Sequence, residues 1–230
     1  MAEGIRAVEE LLRSPLTIKG VLVASQVEES PRGQALFAQV EQRGLERQVV
    51  DAREFASAAE TDSPQGVMAL AEIPNHAFTS LGKDWKGTVV VLDAVQDPGN
   101  VGTILRTAAA LGAPATVALP GTVDLWNAKV VRSGMGAHFK HLAFSATWDE
   151  LDAMRRDHDT RIVAADAGGV PVTQVTRAER MALVVGNEGA GLSTDSRQRA
   201  DQFVALSISP DIESLNVAVA TGILLYALTQ

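Results

Sequence analysis

The stretch Val89-Val90-Val91-Leu92-Asp93-Ala94-Val95-Gln96-Asp97-Pro98-Gly99-Asn100 decides the fold. Val89 to Leu92 is a continuous, mostly β-branched apolar run, the pattern of a strand buried on both faces of a parallel sheet. Pro98-Gly99 then turns the chain, and Asn100 is placed to cap the helix predicted over Val101 to Leu111. The unit repeats downstream: strands are predicted at Ala115 to Leu119, Leu142 to Phe144, Arg161 to Ala165, Ala182 to Val185 and Gln202 to Leu206, with helices between most of them. The result is an α/β, doubly wound parallel sheet, in which ligands bind beyond the carboxyl ends of the strands. Chemistry is therefore sought first after Leu92, Val185 and Leu206.

Upstream lies a smaller body. Ile5, Val8, Leu11 and Leu12 have helical spacing within Gly4 to Arg13, followed by a strand at Ile18 to Ala24, a helix at Gln34 to Arg43, and short apolar stretches at Gln48 to Val50 and Gly66 to Ala71. This predicts a small α/β domain of roughly four strands over 1–73. Residues 74–87 lack apolar periodicity and read as a linker, leaving 88–230 as the larger domain.

The chain of 230 residues, 46% apolar and 21% charged, suffices for buried cores, and without Cys it has neither disulfides nor thiolate chemistry. Four scattered His suggest no metal site. The N-terminus has no apolar signal segment, and the longest mostly apolar run, Val217 to Leu228, is 12 residues where a spanning helix needs roughly 20. The expectation is a soluble cytoplasmic protein. A net charge of -8 argues against holding nucleic acid by bulk charge. Residues 1–73 carry 7 basic and 12 acidic side chains. One basic stretch remains, Trp126 to His141, with Lys129, Arg132, Lys140, His138 and His141 and no acid between Asp124 and Asp149. It reads equally as a solvated helix end or as a local RNA contact.

Three loops carry candidate chemistry. In the first, Arg106 follows Asn100 by six residues, which is not a face-sharing helical spacing, so if both line one site Asn100 sits in the loop and Arg106 reaches in from the helix. Alternatively, Asn100 is a plain cap and Arg106 a surface residue. In the second, Gly186-Asn187-Glu188-Gly189-Ala190-Gly191 follows a strand, and its glycines let backbone approach a ligand. Gly189-x-Gly191-x-x-Thr194 partly matches a dinucleotide fingerprint, but it falls late in the domain and ends in Thr; no Gly-Lys-Ser/Thr occurs, which excludes a Walker A loop. The third, Leu206 to Asn216, leads into an apolar C-terminal helix.

In order and content these segments resemble the SpoU/TrmH branch of the SPOUT RNA methyltransferases. The first motif is Asn100 to Gly112 with Arg106, the second Leu183 to Leu192, and the third Ser214-Leu215-Asn216-Val217. Gly4-Ile5-Arg6-Ala7-Val8 and Pro64-Gln65-Gly66-Val67 are similar to the family's ribosomal-protein-like RNA-binding domain. There are two departures: Leu206-Ser207-Ile208 stands where Ile-Pro-Met is usual, and Asp211 where a small residue is usual. The resemblance implies a homodimer with a deep trefoil knot that transfers a methyl group from S-adenosylmethionine to a ribose 2'-hydroxyl of RNA, with ribosomal RNA favoured over transfer RNA. It implies that Asn100 orients the ribose, Arg106 binds phosphate or activates the hydroxyl, and Glu188 holds Arg106 or the loop. Ser214 and Asn216 position loops and hydroxyl, with a plain helix cap the alternative for Asn216, and Gly186, Asn187, Leu206, Ile208 and Leu215 hold the cofactor. RNA contacts are expected from Arg6, Arg13 and Arg32 in the first domain and from Lys129 and Arg132 in the second. Two rivals remain: a nucleotide-dependent oxidoreductase, and a catalytically silent RNA-binding module of the same fold.

Overall fold

The computed structural model describes residues 1–61 and 63–230, which divide into two compact units: Met1–Pro74 with Met135–Lys140, and Asn75–Gly134 with His141–Gln230.

The first unit runs β1 (Ala2–Glu3), α1 (Ile5–Leu12), β2 (Ile18–Ala24), α2 (Pro31–Gln42), β3 (Arg47–Val50), α3 (Ala52–Ala58) and β4 (Val67–Ala71). Its four-stranded sheet has the order β1-β4-β2-β3, with β2 parallel to β3 and antiparallel to β4. Helix α1 buries Val8, Leu11 and Leu12, the stripe its spacing predicts, and α2 starts where Ser30 accepts from Gly33 N with Pro31 in the first turn. Asp51 and Glu54 form a capping box on α3, an element the sequence reading passed over.

The second unit runs β5 (Gly87–Leu92), α4 (Pro98–Ala110), β6 (Thr116–Ala118), α5 (Ala128–Ser133), β7 (Ala143–Ser145), α6 (Trp148–His158), β8 (Arg161–Pro171), β9 (Arg180–Val185), α7 (Thr194–Arg199), β10 (Gln202–Ala205) and α8 (Val217–Thr229). All six strands pair in parallel in the order β10-β8-β9-β5-β6-β7. Val89, Val90, Val91 and Leu92 are wholly buried, as a strand covered on both faces requires. Burying each such side chain contributes about 1.5–3 kcal/mol. One core layer joins β5 and β9 to α4 and α8; the other joins them to α6. The order fits the trefoil knot expected of the last loops and α8.

Two expectations need correction. Asn100 does not cap α4: the helix starts earlier, at Pro98, and Asp97 caps it by accepting from Asn100 N at 2.7 Å. Residues 75–87 are not free chain within their unit, because Phe78 packs edge-on to Phe144 at 5.1 Å between centroids and Trp85 is buried. Their apolar side chains lie too far apart in sequence to give a periodic signal.

Candidate active site

The loops after β5 and β9 meet at the carboxyl edge of the sheet, as a parallel sheet favours. Asn187 fixes its own loop from within: its Oδ1 accepts from Gly189 N and Ala190 N at 2.9 Å, and its backbone pairs both ways with Gly191. A Cβ on Gly186 would lie 2.4 Å from the Gly191 carbonyl oxygen, so this tight closure requires glycine there. The Asn187 Nδ2 then donates to Ala94 O at 2.8 Å, tying the two loops together.

Glu188 makes the second tie. Its carboxylate accepts from Gln96 N at 3.4 Å, Asp97 N at 3.3 Å and Asn100 Nδ2 at 3.0 Å. Burial pushes its carboxyl up, but hydrogen bonds from Asn100, its own N–H and the N–H groups of Gln96 and Asp97 outweigh this and hold it below the ordinary 4.5. Asn100 Oδ1 in turn accepts from Asn216 Nδ2 at 2.9 Å, and Asn216 Oδ1 caps α8 by accepting from Ala218 N and Val219 N. Donor and acceptor roles are thereby fixed. A carboxylate only accepts, so the Asn100 amino group faces Glu188, and the capping oxygen of Asn216 leaves its amino group for Asn100. One N–H and one lone pair of the Asn100 amide remain for another partner.

Beside this chain of contacts lies a cavity of about 490 Å³ lined by Gly186, Asn187, Leu206, Ile208, Leu215, Val217 and Leu224, with Asn100, Glu188, Ser214 and Asn216 also on its wall. The volume is in the range of small-molecule sites. All five residues expected to hold the cofactor and four of the five expected to do chemistry therefore line one cavity. Arg106 does not. It is exposed on α4, and among the described residues it has no hydrogen-bond or ion-pair partner, so Glu188 holds the loop and Asn100 but not Arg106.

The cations expected to touch RNA differ in state. Arg32 is paired with Glu9 at 2.8 Å and Arg13 with Glu10 at 3.2 Å, whereas Arg6, Lys129 and Arg132 are exposed and without an ion pair among the described residues. Ser207 and Asp211, the two departures, do not line the cavity. Sequence reading missed Asp166, on the cavity wall within β8, where Gly168 N and Arg197 keep it ionised against burial. The carboxyl-edge rule applied to β8 as well would have found it. Among the described residues there is no group of three or more His, Asp or Glu fit to hold a metal, and no helix is long and apolar enough to cross a membrane.

Residues 87–226 match the SpoU rRNA Methylase family, and residues 1–77 match the family of RNA 2'-O ribose methyltransferase substrate-binding domains. The chain belongs to the SpoU rRNA methylase family. It is 33% identical over 229 residues to the 23S rRNA (guanosine(2553)-2'-O)-methyltransferase RlmP of Bacillus subtilis, covering 99% of this chain and 87% of that protein. Among solved structures it is similar to the AdoMet-bound rRNA methyltransferase of Sinorhizobium meliloti, with TM-score 0.85 and 28% identity, covering 99% of this chain and 85% of that one. It is also similar to the SpoU methyltransferase AviRb of Streptomyces viridochromogenes in complex with AdoMet, with TM-score 0.88 and 26% identity, covering 99% and 88%. As a SpoU methylase the chain is an S-adenosylmethionine-dependent RNA 2'-O-methyltransferase. Its apolar cavity with a Gly-rich backbone wall fits the adenosine part of that cofactor.

Proposed function

We propose that the substrate is a ribose 2'-hydroxyl of ribosomal RNA, that the enzyme acts as a cytoplasmic homodimer, and that the site residues divide the work as follows. The observation that carries this reading is the chain Glu188–Asn100–Asn216 on the wall of the apolar cavity. S-adenosylmethionine supplies the methyl group. Leu206, Ile208 and Leu215 would hold its apolar base, with the backbone of Gly186 and Asn187 beside it. Displacement at a methyl carbon needs the attacking oxygen in line, and Asn100, with one N–H and one lone pair uncommitted and its amide fixed at both ends, is suited to orient a hydroxyl. Ser214 and Asn216 position the loop before α8 and keep Asn100 in place.

The hydroxyl must also lose its proton. A guanidinium, with a pKa above about 12, is a poor base near neutrality. Arg106 is therefore assigned to the ribose-phosphate, where its charge favours the ionised oxygen. Its lack of a hydrogen-bond or ion-pair partner among the described residues supports that role. Arg6, Lys129 and Arg132, exposed and without an ion pair among the described residues, would contact RNA phosphates, whereas Arg13 and Arg32 are already paired with Glu10 and Glu9. The homodimer is supported by Val219, Ile223 and Tyr226, which recur at helical spacing on α8 and are about half exposed, at 51%, 46% and 55%. The B. subtilis relative, named for methylation of 23S rRNA, supports ribosomal RNA as substrate. Incubation with labelled S-adenosylmethionine and total RNA, followed by mapping of 2'-O-methyl sites, tests the reading. Label in ribosomal RNA is expected; label confined to transfer RNA or to bases would refute it.

A further inference from the structure

One buried titratable group that this mechanism leaves unused is Asp93. It stands directly after β5 and is only 2% exposed, yet no cation pairs with its carboxylate among the described residues. Such a group is costly unless hydrogen-bonded. Its backbone N–H donates to Val185 O at 2.8 Å, the last residue before the Gly186 to Leu192 loop. Its Oδ2 accepts from Ser193 N at 2.7 Å, the first residue after that loop, and from Ser196 Oγ at 2.5 Å. Ser193 Oγ accepts from Ser196 N at 3.1 Å, so Asp93, Ser193 and Ser196 form a closed ring, with Ser196 fully buried. Entry and exit of the cofactor loop thus meet at one residue. The neighbouring Ala94 has φ 58, a conformation disfavoured for a residue with a Cβ, and its carbonyl receives Asn187 Nδ2. Held by Asp93 on one side and Asn187 on the other, that corner also sets where Gln96 and Asp97 present their N–H groups to Glu188.

We infer that Asp93 is a positioning residue for methyl transfer: it clamps both ends of the Gly186 to Leu192 loop, and through that loop sets the cofactor wall and the Glu188–Asn100 contact. Both donors converge on one carboxylate oxygen, which makes acceptor geometry the property that matters. An amide at this position keeps one acceptor oxygen; a methyl group keeps none. The inference rests on the methyltransferase reading, so the affinity of the parent enzyme for S-adenosylmethionine is measured first. A parent without that affinity would sink both.

The experiment takes the full chain as parent, D93A, D93N, S196A and the D93A/S196A double variant. Calorimetric Kd for S-adenosylmethionine, Kd for RNA, and single-turnover rates are measured well below each variant's melting temperature. Losing buried hydrogen bonds to a charged acceptor should raise the cofactor Kd about tenfold or more in D93A and about threefold to tenfold in S196A. D93N should lie between D93A and the parent, and the double variant should match D93A because one clamp is removed twice. RNA affinity should stay within about threefold, since no residue of the ring is assigned to RNA. If D93A fails to fold, S196A, which removes a single hydroxyl, decides with D93N. A lowered melting temperature with unchanged cofactor Kd and rate in the folded protein would show a purely structural ring and overturn the inference, as would additive effects of D93A and S196A.

Discussion

Replacing Arg106 by Ala should abolish most methyl transfer while leaving fold and cofactor binding intact, and each part follows from where the side chain lies. The buried face of α4 consists of Val101, Gly102, Ile104, Leu105 and Ala108; Arg106 is on the exposed side with no partner among the described residues. Truncation breaks no hydrogen bond or ion pair among the described residues, and Ala is at least as good a helix former, so stability should change by no more than about 0.5 kcal/mol. Arg106 does not line the cofactor cavity, so affinity for S-adenosylmethionine should stay within about threefold. Loss of a two-donor contact to a phosphate, at about 1.5–3 kcal/mol for each charge-assisted bond and with some compensation by water, leaves about 3–4 kcal/mol. That corresponds to a roughly 100- to 1,000-fold slower chemical step. Arg106→Lys should recover little, because a point-charge ammonium cannot reproduce a planar fork. The assay is single-turnover methylation with RNA and cofactor saturating. A rate for Arg106→Ala within threefold of the parent would refute the assignment, whatever the fold.

Lys129→Ala and Arg132→Ala should weaken RNA binding and each lower the slope of log affinity against log salt by about 0.7–0.9, with little effect on rate at saturating RNA; unchanged slopes in filter binding would remove both from the interface. Glu188, whose carboxyl is held below its ordinary 4.5 in the folded protein, stabilises the loop above the unfolded value, and this contribution is lost as pH falls through the folded one. Melting curves should therefore show the parent's advantage over Glu188→Gln vanishing on acidification below about pH 4.5, whereas a gap constant across pH would contradict this. Gly102→Ala would put a Cβ 2.6 Å from the Val130 carbonyl oxygen and 1.8 Å from Ser133 Oγ, so α4 and α5 must separate. A loss of about 1–3 kcal/mol is expected in urea titration, and a neutral result would show that the two helices yield freely. The proposed homodimer predicts that Ile223→Asp makes the protein monomeric by sedimentation; an undisturbed dimer would place the interface off α8.

Much of the second unit was legible because strands buried on both faces write themselves as apolar runs: β5 and β9 are found within two residues of their predicted bounds. Strand β8 ran further than predicted, to Pro171, because its later residues are only half-buried or exposed and carry Gly168 and Gly169. The members of the site were legible as types, but their wiring was not. Asn100 lies 88 residues from Glu188 and 116 from Asn216, and no local pattern records such hydrogen bonds. The same limit explains the cap: Asp97 and Asn100 are both good capping residues on either side of Pro98-Gly99, and only the helix starting at Pro98 decides between them. Had Asn100 capped α4, its side-chain oxygen would be spent on backbone N–H groups and could not receive Asn216. The aspartate at 97 thus frees the asparagine at 100.

Net charge and RNA binding are reconciled by which cations are already used. Many of the 20 basic residues are neutralised at home: Lys19 by Glu72, Arg32 by Glu9, Lys86 by Glu179, Arg155 by Asp201, Arg197 by Asp166 and Arg199 by Asp152. Arg106, Lys129 and Arg132 are exposed and have no such partner among the described residues, and they sit on α4 and α5, two helices packed so closely that Gly102 has no room for a Cβ. Gly102 lies on the buried face of α4, against α5, while Arg106 stands on the exposed side of the same helix. On the proposed assignment, a phosphate backbone would meet this pair of helices as a local positive strip on an acidic protein. Such a strip would hold RNA in one register without the nonspecific grip of a broadly basic surface, which is what the proposed presentation of one ribose among thousands to Asn100 requires.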